Sequence, residues 1–352
     1  MAVITVVGAG MMGSALCVPL ADRGHEVRLV GTPFDRHLIA RILEDGHHLG
    51  LRQALPRELR AFQVDELATA LDGADAVALG VSSAGVRWAG QAVGPLLRPG
   101  MPLFSITKGL EWDGERLRVL PDVLAAELPA SLRETVAPAA IAGPCIAGEL
   151  ARRVPTCVVL TGRNRASLET IAGLVRTSYY RVFLSDDVEG VEICAALKNA
   201  FAMGVAFGAG LHERHGGVPG SIAMHNYESA VMAQAIGEMM RVIEVTGGRP
   251  STAAGLAGVG DLDVTNNGGR TGRFGKWLGL GLSLPDAVAR MDGATLECLE
   301  ILAVMRTAMT ALKERGVLGA KELPLLHEMT RVALDGASLE MPFDAFFGGE
   351  HG

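Results

Sequence analysis

An apolar, β-branched run, Val3-Ile4-Thr5-Val6-Val7, leads without interruption into Gly8-Ala9-Gly10-Met11-Met12-Gly13, and a helix-compatible stretch follows from Ser14. A strand that ends in G-x-G-x-x-G and hands over to a helix is the context that turns a common glycine pattern into a dinucleotide site. Gly8 permits the tight turn, Gly10 lets backbone approach a pyrophosphate, and Gly13 lets the helix pack close to the strand. The helix N-terminus then offers N–H groups and the positive end of a dipole to the phosphates, and Met11 and Met12 within the motif are candidates to touch the cofactor. The glycines alone would equally fit a turn that binds nothing; the flanking strand and helix favour the phosphate reading.

The chain has 352 residues, enough for two domains, each with a real core. Apolar residues make up 49% and charged residues 20%, the balance of a folded chain and not of a disordered one. Net charge is −7 and no long block of Lys or Arg occurs, which argues against a nucleic-acid partner. A small anionic substrate needs only a local cationic pocket and stays allowed. The five cysteines are scattered with no C-x-x-C, so free thiols in a reducing cytosol are expected. No basic segment followed by an apolar signal precedes the first strand, and a cytoplasmic protein is expected. The most apolar stretch, 191–211, contains Glu192, Lys198 and Asn199 and reads as a buried core helix, not as a membrane span.

Short apolar strands alternate with helical patterns through the first half, the mark of a parallel sheet covered by helices. Strands are expected at 3–7, 25–30, 74–81, 102–107, 137–141, 155–160 and 180–184. Ligands of such sheets bind at the carboxyl ends of strands, which draws attention to Thr32, Ser83 and Lys108. The character changes near Ser185-Asp186-Asp187. Beyond it, helical patterns cover 188–209, 221–246, 284–291 and 296–315, and glycine-rich stretches at 208–220 and 255–275 read as loops. The expected organisation is a dinucleotide-binding domain over 1–187 and an all-helical domain over 188–352. His47-His48 reads as a loop, and His212 with His215 lacks a third ligand, so no metal site is expected. The absence of a G-x-S-x-G elbow gives little weight to hydrolase chemistry.

Reduction of a phosphorylated ketone needs a proton donor beside the carbonyl oxygen and donors for the phosphate. Lys198, in Ala195-Ala196-Leu197-Lys198-Asn199-Ala200, is surrounded by small apolar residues. Burial there would lower its pKa toward the range useful for proton transfer. Asn199 adds a neutral donor. A lysine that merely snorkels from an apolar helix fits the same pattern. Lys108 follows a strand end directly, and an ordinary turn lysine fits that position too. Gly255-Leu256-Ala257-Gly258-Val259-Gly260-Asp261 places three glycines before an acid that can pair with Lys198. Arg270 and Thr271, farther along, carry the forked and hydroxyl donors suited to phosphate.

These segments, in this order, resemble NAD(P)-dependent glycerol-3-phosphate dehydrogenase of the bacterial type. The likeness is carried by Gly8-Ala9-Gly10-Met11-Met12-Gly13, Thr107-Lys108-Gly109-Leu110-Glu111, Ala142-Gly143-Pro144-Cys145-Ile146-Ala147-Gly148-Glu149, Ala196-Leu197-Lys198-Asn199, Gly258-Val259-Gly260-Asp261-Leu262 and Arg273-Phe274-Gly275. It covers nearly the whole chain. It implies an α/β N-terminal Rossmann domain with a parallel-rich sheet, an all-α C-terminal domain of the 6-phosphogluconate dehydrogenase-like type, and a homodimer. It also implies hydride transfer between NAD or NADP and dihydroxyacetone phosphate, giving sn-glycerol 3-phosphate for phospholipid synthesis. By position, Lys198 is the implied general acid/base, with Lys108 and Asp261 in the catalytic set; all three are implied substrate contacts, and Lys108 a cofactor contact as well. Gly143, Cys145, Asn199, Gly269, Arg270 and Thr271 fall on substrate, and Ala147, Arg270 and Glu297 on cofactor.

The departures cluster around the substrate half. Thr271 stands where the family has Asn, Cys145 where it has Ser or Thr, and the helix around Ala235 lacks the family's Arg. Another polyol phosphate or a 3-hydroxy acid therefore stays open as substrate, as does a non-catalytic NAD(P)-binding sensor. The second strand ends Leu29-Val30-Gly31-Thr32, with no acid to hold a ribose 2′-hydroxyl. Thr32 and Arg36 are candidates for a 2′-phosphate, which leans the reading toward usable NADP.

Overall fold

The computed structural model describes residues 1–220, 224–267, 269–293 and 296–348. The chain divides into two compact units, Met1–Lys108 with Val119–Val188, and Gly109–Arg118 with the chain from Glu189 onward.

The first unit opens with β1 (Val3–Val7), α1 (Met11–Asp22), β2 (Glu26–Val30) and α2 (Arg36–Asp45). A small hairpin of β3 (His47–His48) and β4 (Gln53–Ala54) precedes β5 (Arg60–Phe62). Then come α3 (Leu67–Leu71), β6 (Ala76–Leu79), α4 (Val86–Val93) and β7 (Leu103–Ser105). A two-stranded sheet of β8 (Leu110–Trp112) and β9 (Leu117–Val119) interrupts the pattern. It resumes with α5 (Leu120–Glu127), β10 (Ala139–Ala142), α6 (Ala147–Ala151), β11 (Thr156–Gly162), α7 (Arg165–Val175) and β12 (Tyr180–Ser185).

Among the described residues eight strands form one sheet in the order β12-β11-β10-β7-β6-β1-β2-β5. Its neighbours run parallel except β10 against β11. The central strands β1, β6, β7 and β10 are buried on both faces, which explains why they read as continuous apolar runs. In β6 the alternation is visible: Ala76 and Ala78 join one core with Ile4, Leu16 and Phe104, while Val77 and Leu79 join the other with Val7, Val30 and Leu103. The strand order reverses between β1 and β6, so the glycine loop after β1 lies at the switch point of the sheet, where such folds bind ligands.

The second unit holds α8 (Val188–Arg214), α9 (His225–Val245), α10 (Asp261–Asn266), α11 (Arg270–Gly279), α12 (Leu284–Ala289), α13 (Glu297–Glu314) and α14 (Pro324–Asp335). Residues 109–118 belong to it although they interrupt the first unit in the chain, and Arg315 stacks over the Trp112 ring at 5.2 Å. The most apolar window of α8 is 94% buried, as a core helix requires. At the C-terminal end Tyr227, Phe343, Phe346 and Phe347 meet edge to face in sequence, with Phe346 buried.

Three expectations change. The glycine-rich stretch at 208–220 is helical as far as Arg214, and most of 255–275 is helical, through a π-helical turn at Leu256–Gly260 followed by α10 and α11. Gly210 and Gly275 there serve close helix contact, whereas Gly216 and Gly220, beyond Arg214, take positive φ in turns. His47-His48 is a strand of a hairpin, not a loop. The helical pattern at 221–246 begins at His225 in the structure; 221–223 lie outside the described residues.

Candidate active site

The glycine loop is shaped by contacts that exclude any side chain. Gly8 adopts φ +111°, and a Cβ on it would lie 2.6 Å from the Gly80 carbonyl oxygen. A Cβ on Gly13 would lie 2.1 Å from the carbonyl oxygen of Gly8, and one on Gly80 would meet the Gly13 Cα at 2.7 Å. Gly8, Gly13 and Gly80 therefore form one tight backbone contact. Gly80, after β6, is a member that the motif alone does not reveal. Gly10 differs. Its φ is −65°, and the nearest atom to a Cβ there would be 3.9 Å away. Nothing within the protein needs a glycine at position 10, and the open space beside it suits a bound pyrophosphate.

The residue between the first two glycines is held at both ends. Asp35 accepts from the Ala9 N–H (3.1 Å) and from the Thr32 N–H (2.9 Å). The Ala9 carbonyl accepts from the Ser14 hydroxyl (3.2 Å) and from His48 Nε2 (2.9 Å). Met11 is exposed and Met12 half-buried, both on the first turn of α1. Of the residues considered for a 2′-phosphate, Thr32 is half-buried, and Arg36 forms a two-pronged pair with Asp65 at 2.8 and 2.9 Å. Ser83 opens a 3-10 turn beyond β6.

Lys108 is half-buried and closes the segment after β7. That segment is fixed by Thr107, whose hydroxyl donates to the Val81 carbonyl (2.8 Å) and whose N–H donates to the Ser105 hydroxyl (2.9 Å). Beyond β10, Gly143 adopts φ +109°, a conformation that favours glycine. Cys145 is half-buried and packs on the core, and the buried Ala147 begins α6.

In the second unit Lys198 sits mid-helix on α8 and is 7% exposed; its ammonium pairs with the fully buried carboxylate of Asp261, the first residue of α10. The adjacent Asn199, 8% exposed, donates through Nδ2 to Glu297 Oε2 at 2.7 Å. Glu297 begins α13. Each polar side chain of α8 here thus meets an acid at the start of another helix.

The glycines of α11 explain how its first turn is brought alongside. A Cβ on Gly275 would lie 2.3 Å from the Met203 carbonyl oxygen, and one on Gly279 would lie 2.4 Å from that of Phe207. The two helices therefore touch backbone to backbone and run in the same direction, four residues apart in both. Following that register back from Gly275 and Met203 brings Arg270 and Thr271 toward the level of Lys198 and Asn199. The salt bridge from Lys276 to Glu213, 2.6 Å, pins the far end of the contact. Thr271 is buried, Arg270 is exposed, and the Arg270 charge acts on Cys298, the residue after Glu297. Burial nevertheless pushes the Cys298 thiol up to about 12, so it stays protonated and inert at neutral pH. Gly269 precedes α11 directly; Gly268 and Thr295 lie outside the described residues.

The first-unit candidates thus gather at the glycine loop and at the strand ends after β6, β7 and β10. The second-unit candidates gather where α8, α10, α11 and α13 meet. Sequence reasoning missed Asp35, His48, Gly80 and the Asn199–Glu297 bond. Asp35 lies three residues past Thr32, and its carboxylate turns toward the Ala9 and Thr32 N–H groups. A cavity of about 1060 Å³ opens elsewhere in the second unit, along α9, α13, α14 and residues 342–348; none of Lys198, Asn199, Asp261 or Arg270 lines it.

The family model for the N-terminus of NAD-dependent glycerol-3-phosphate dehydrogenase matches residues 3–168, and that for its C-terminus matches 187–343. An NADP(+)-dependent glycerol-3-phosphate dehydrogenase of Archaeoglobus fulgidus is 35% identical over 339 residues, covering 96% of this chain and 97% of that protein. A glycerol-3-phosphate dehydrogenase [NAD(P)+] of Bacillus pumilus is 33% identical, over 82% of this chain and 79% of that one. The crystal structure of glycerol-3-phosphate dehydrogenase from Coxiella burnetii superposes with a TM-score of 0.80 at 28% identity, covering 95% of both chains.

Proposed function

The chain belongs to the NAD-dependent glycerol-3-phosphate dehydrogenase family, and from that premise we propose that it interconverts dihydroxyacetone phosphate and sn-glycerol 3-phosphate using NAD(P), with Lys198 as general acid and base. When bound, the nicotinamide supplies the hydride to C2 of the ketone, or takes it back. On reduction the Lys198 ammonium gives a proton to the carbonyl oxygen, which becomes the hydroxyl; on oxidation the neutral amine recovers it. Asp261 holds that amine in one place and balances its charge, so the proton is delivered from a fixed position. Asn199, braced by Glu297, offers a neutral donor to the same end of the substrate.

Arg270 and Thr271 bind the phosphate, the first with its fork and the second with its hydroxyl, assisted by N–H groups at the start of α11. Lys108, Gly143 and Cys145 complete the substrate contacts. Gly8–Gly13, with the first turn of α1, takes the pyrophosphate, and Ser83, Ala147 and Glu297 contribute to holding the cofactor. NADP is usable as well as NAD because the β2 end carries no acid turned outward to repel a 2′-phosphate, and Thr32 and Arg36 stand there instead. The assembly is a homodimer, which a monomer mass in sedimentation would overturn.

The observation that carries the reading is the buried Lys198–Asp261 pair on α8 and α10. A buried ion pair is a poor source of stability compared with apolar packing, so its presence calls for a chemical reason. The test is a panel of phosphorylated ketoses and 2- or 3-keto acids, followed by nicotinamide absorbance. Dihydroxyacetone phosphate should be the preferred substrate, and Lys198→Ala should lower kcat at least about a hundredfold. Preference for another polyol phosphate would replace the substrate, with Thr271 and Cys145 as the residues responsible. Near-normal turnover by the Lys198 variant would remove the assigned role. Tight cofactor binding without turnover of any panel member would make the chain a sensor.

A further inference from the structure

His48 has two partners, and both are backbone groups. Its Nδ1 accepts from the Leu51 N–H at 3.0 Å, so that nitrogen carries no proton. The proton is on Nε2, which donates to the Ala9 carbonyl at 2.9 Å. The ring is 2% exposed. It stands in the β3–β4 hairpin, whose tip rests on the glycine loop: a Cβ on Gly50 would meet Met11 Cγ at 3.1 Å and His48 Cε1 at 3.3 Å. The hairpin is itself fixed, by buried Leu51 and Leu55 and by Gln53 Nε2 donating to the Ala151 carbonyl at the end of α6 (3.0 Å). Ala9 lies between two glycines; its methyl is buried in the core, and its carbonyl is held by the His48 ring together with the Ser14 hydroxyl.

We propose that His48 is a positioning residue for the cofactor: its neutral ring fixes the Ala9 peptide in the geometry that receives the dinucleotide phosphates, and protonation of the ring releases it, so that dinucleotide affinity is coupled to pH. This rests on the reading that Gly8–Gly13 receives those phosphates. A proton added at Nδ1 points directly at the Leu51 N–H, and two donors cannot share one contact. The ring must turn, and the Ala9 carbonyl is left with the Ser14 hydroxyl as its side-chain partner.

No charged side chain among the described residues bonds the ring. The charged groups on the elements around it are Asp35, which holds the Ala9 N–H, and Arg36, His37, Arg41, Glu44 and Asp45 of α2, Arg36 being paired with Asp65. The hairpin contributes His47 and Arg52, and α6 contributes Glu149 and Arg152. An imidazolium so near the loop would also attract phosphate, which is the opposing effect the experiment must separate.

The experiment is calorimetric titration of the full chain with NADH and NADPH between about pH 8 and about pH 5.5, in buffers of different ionisation enthalpy. NADH is essential because the 2′-phosphate of NADPH itself titrates near about pH 6. Wild type should lose at least about threefold in NADH affinity toward acid pH and release a proton on binding there. His48→Gln, which keeps a donor at the reach of Nε2 but cannot titrate, should bind within about threefold of wild type at pH 8 and lose the acid decline. His48→Ala should bind about tenfold more weakly at every pH. Proton uptake, tighter acid binding by wild type, or an unchanged acid decline in His48→Gln would overturn the proposal. Gly10→Val separates the two readings: if it binds NADH as tightly as wild type, the phosphate reading of the loop falls first. If it fails to bind while His48→Gln behaves as wild type at every pH, only the role of His48 falls.

Discussion

The glycine loop of the first unit and the Lys198 cluster of the second solve positioning in opposite ways. The loop is backbone chemistry. Its chemistry lies within a dozen consecutive residues, and what surrounds it, Gly80, Asp35 and His48, acts on carbonyls and N–H groups. The cluster is side-chain chemistry. Lys198, Asp261, Arg270 and Glu297 come from four helices spread over about a hundred residues, and each is useful only where the helices bring it. In a loop of the first kind the packing positions, Gly8 and Gly13, admit no added atom. A cluster of the second kind tolerates no loss of a charge or of the helix contact beneath it.

The largest expected effects separate the two regions by kinetics. Lys198→Met should abolish nearly all turnover, by about a hundredfold or more in kcat, while the dissociation constant of the dinucleotide stays near its original value. Gly10→Ala should do the reverse. The protein offers no clash to the added methyl, so the melting temperature should hold while dinucleotide affinity falls about tenfold. Gly13→Ala serves as the control, since its methyl would strike the Gly8 carbonyl and should destabilise the fold itself. If Gly10→Ala and Gly13→Ala lose stability alike, the distinction between a packing glycine and a ligand glycine is lost.

A smaller effect tests the helix contact under the cluster. Gly275→Ala would place a methyl 2.3 Å from the Met203 carbonyl oxygen. Overpacking of this kind costs about 1–3 kcal/mol, and forcing α11 off α8 should also move Arg270 and Thr271. Denaturant unfolding should show the loss, and KM for the phosphorylated substrate should rise. A stable variant with unchanged KM would show that the register of α11 on α8 does not set the phosphate end.

These contrasts also explain what the sequence made legible. The strand, loop and helix at residues 3–22 could be read directly because a local period and three glycines carry the whole signal. Lys198 and Asp261 were visible as candidates because a charge within an apolar helix and an acid after three glycines are each out of place. The Asn199–Glu297 bond was not visible, since nothing at either residue marks the other across nearly a hundred positions. The stretch 255–275 reads as loop because glycine has low helix propensity; only tertiary contact shows that Gly275, and Gly279 just beyond it, let α11 touch α8. His47-His48 reads as loop because two residues are too short a run to show a strand period.

Both units use a carboxylate to hold backbone N–H groups, and burial makes the two behave differently. Asp35 is half-buried at the glycine loop. Glu238 of α9 is 2% exposed and accepts from the N–H groups of Leu325 (2.7 Å) and Leu326 (2.9 Å), in the first turn of α14, and from Gln234 Nε2 (2.9 Å). Those bonds and the charge of Lys313 favour the ion, yet burial outweighs them and pushes the Glu238 carboxyl up to about 7 from an ordinary 4.5. The folded state then holds the proton more tightly than the unfolded one. The stability contributed is complete below about pH 4.5 and is lost as pH rises through about 7, at no more than about 1.4 kcal/mol per pH unit. Glu238→Gln should flatten that component. Subtracting its unfolding free energy from that of wild type across this window should leave a decline; equal slopes would mean that the carboxylate is ionised throughout.

The smallest effect concerns the choice between NAD and NADP. Arg36 is already paired with Asp65, and both groups are exposed. Such surface pairs are weak, so a 2′-phosphate competes for the guanidinium at little cost. Removing the competitor should sharpen the preference: Asp65→Asn should lower KM for NADPH by at most about fivefold and leave KM for NADH unchanged. Arg36→Gln should shift the ratio the other way by a similar factor. Neither variant touches the glycine loop, so an equal change for both dinucleotides would place Arg36 near the shared part of the cofactor. No change for either would place the 2′-phosphate site away from the end of β2.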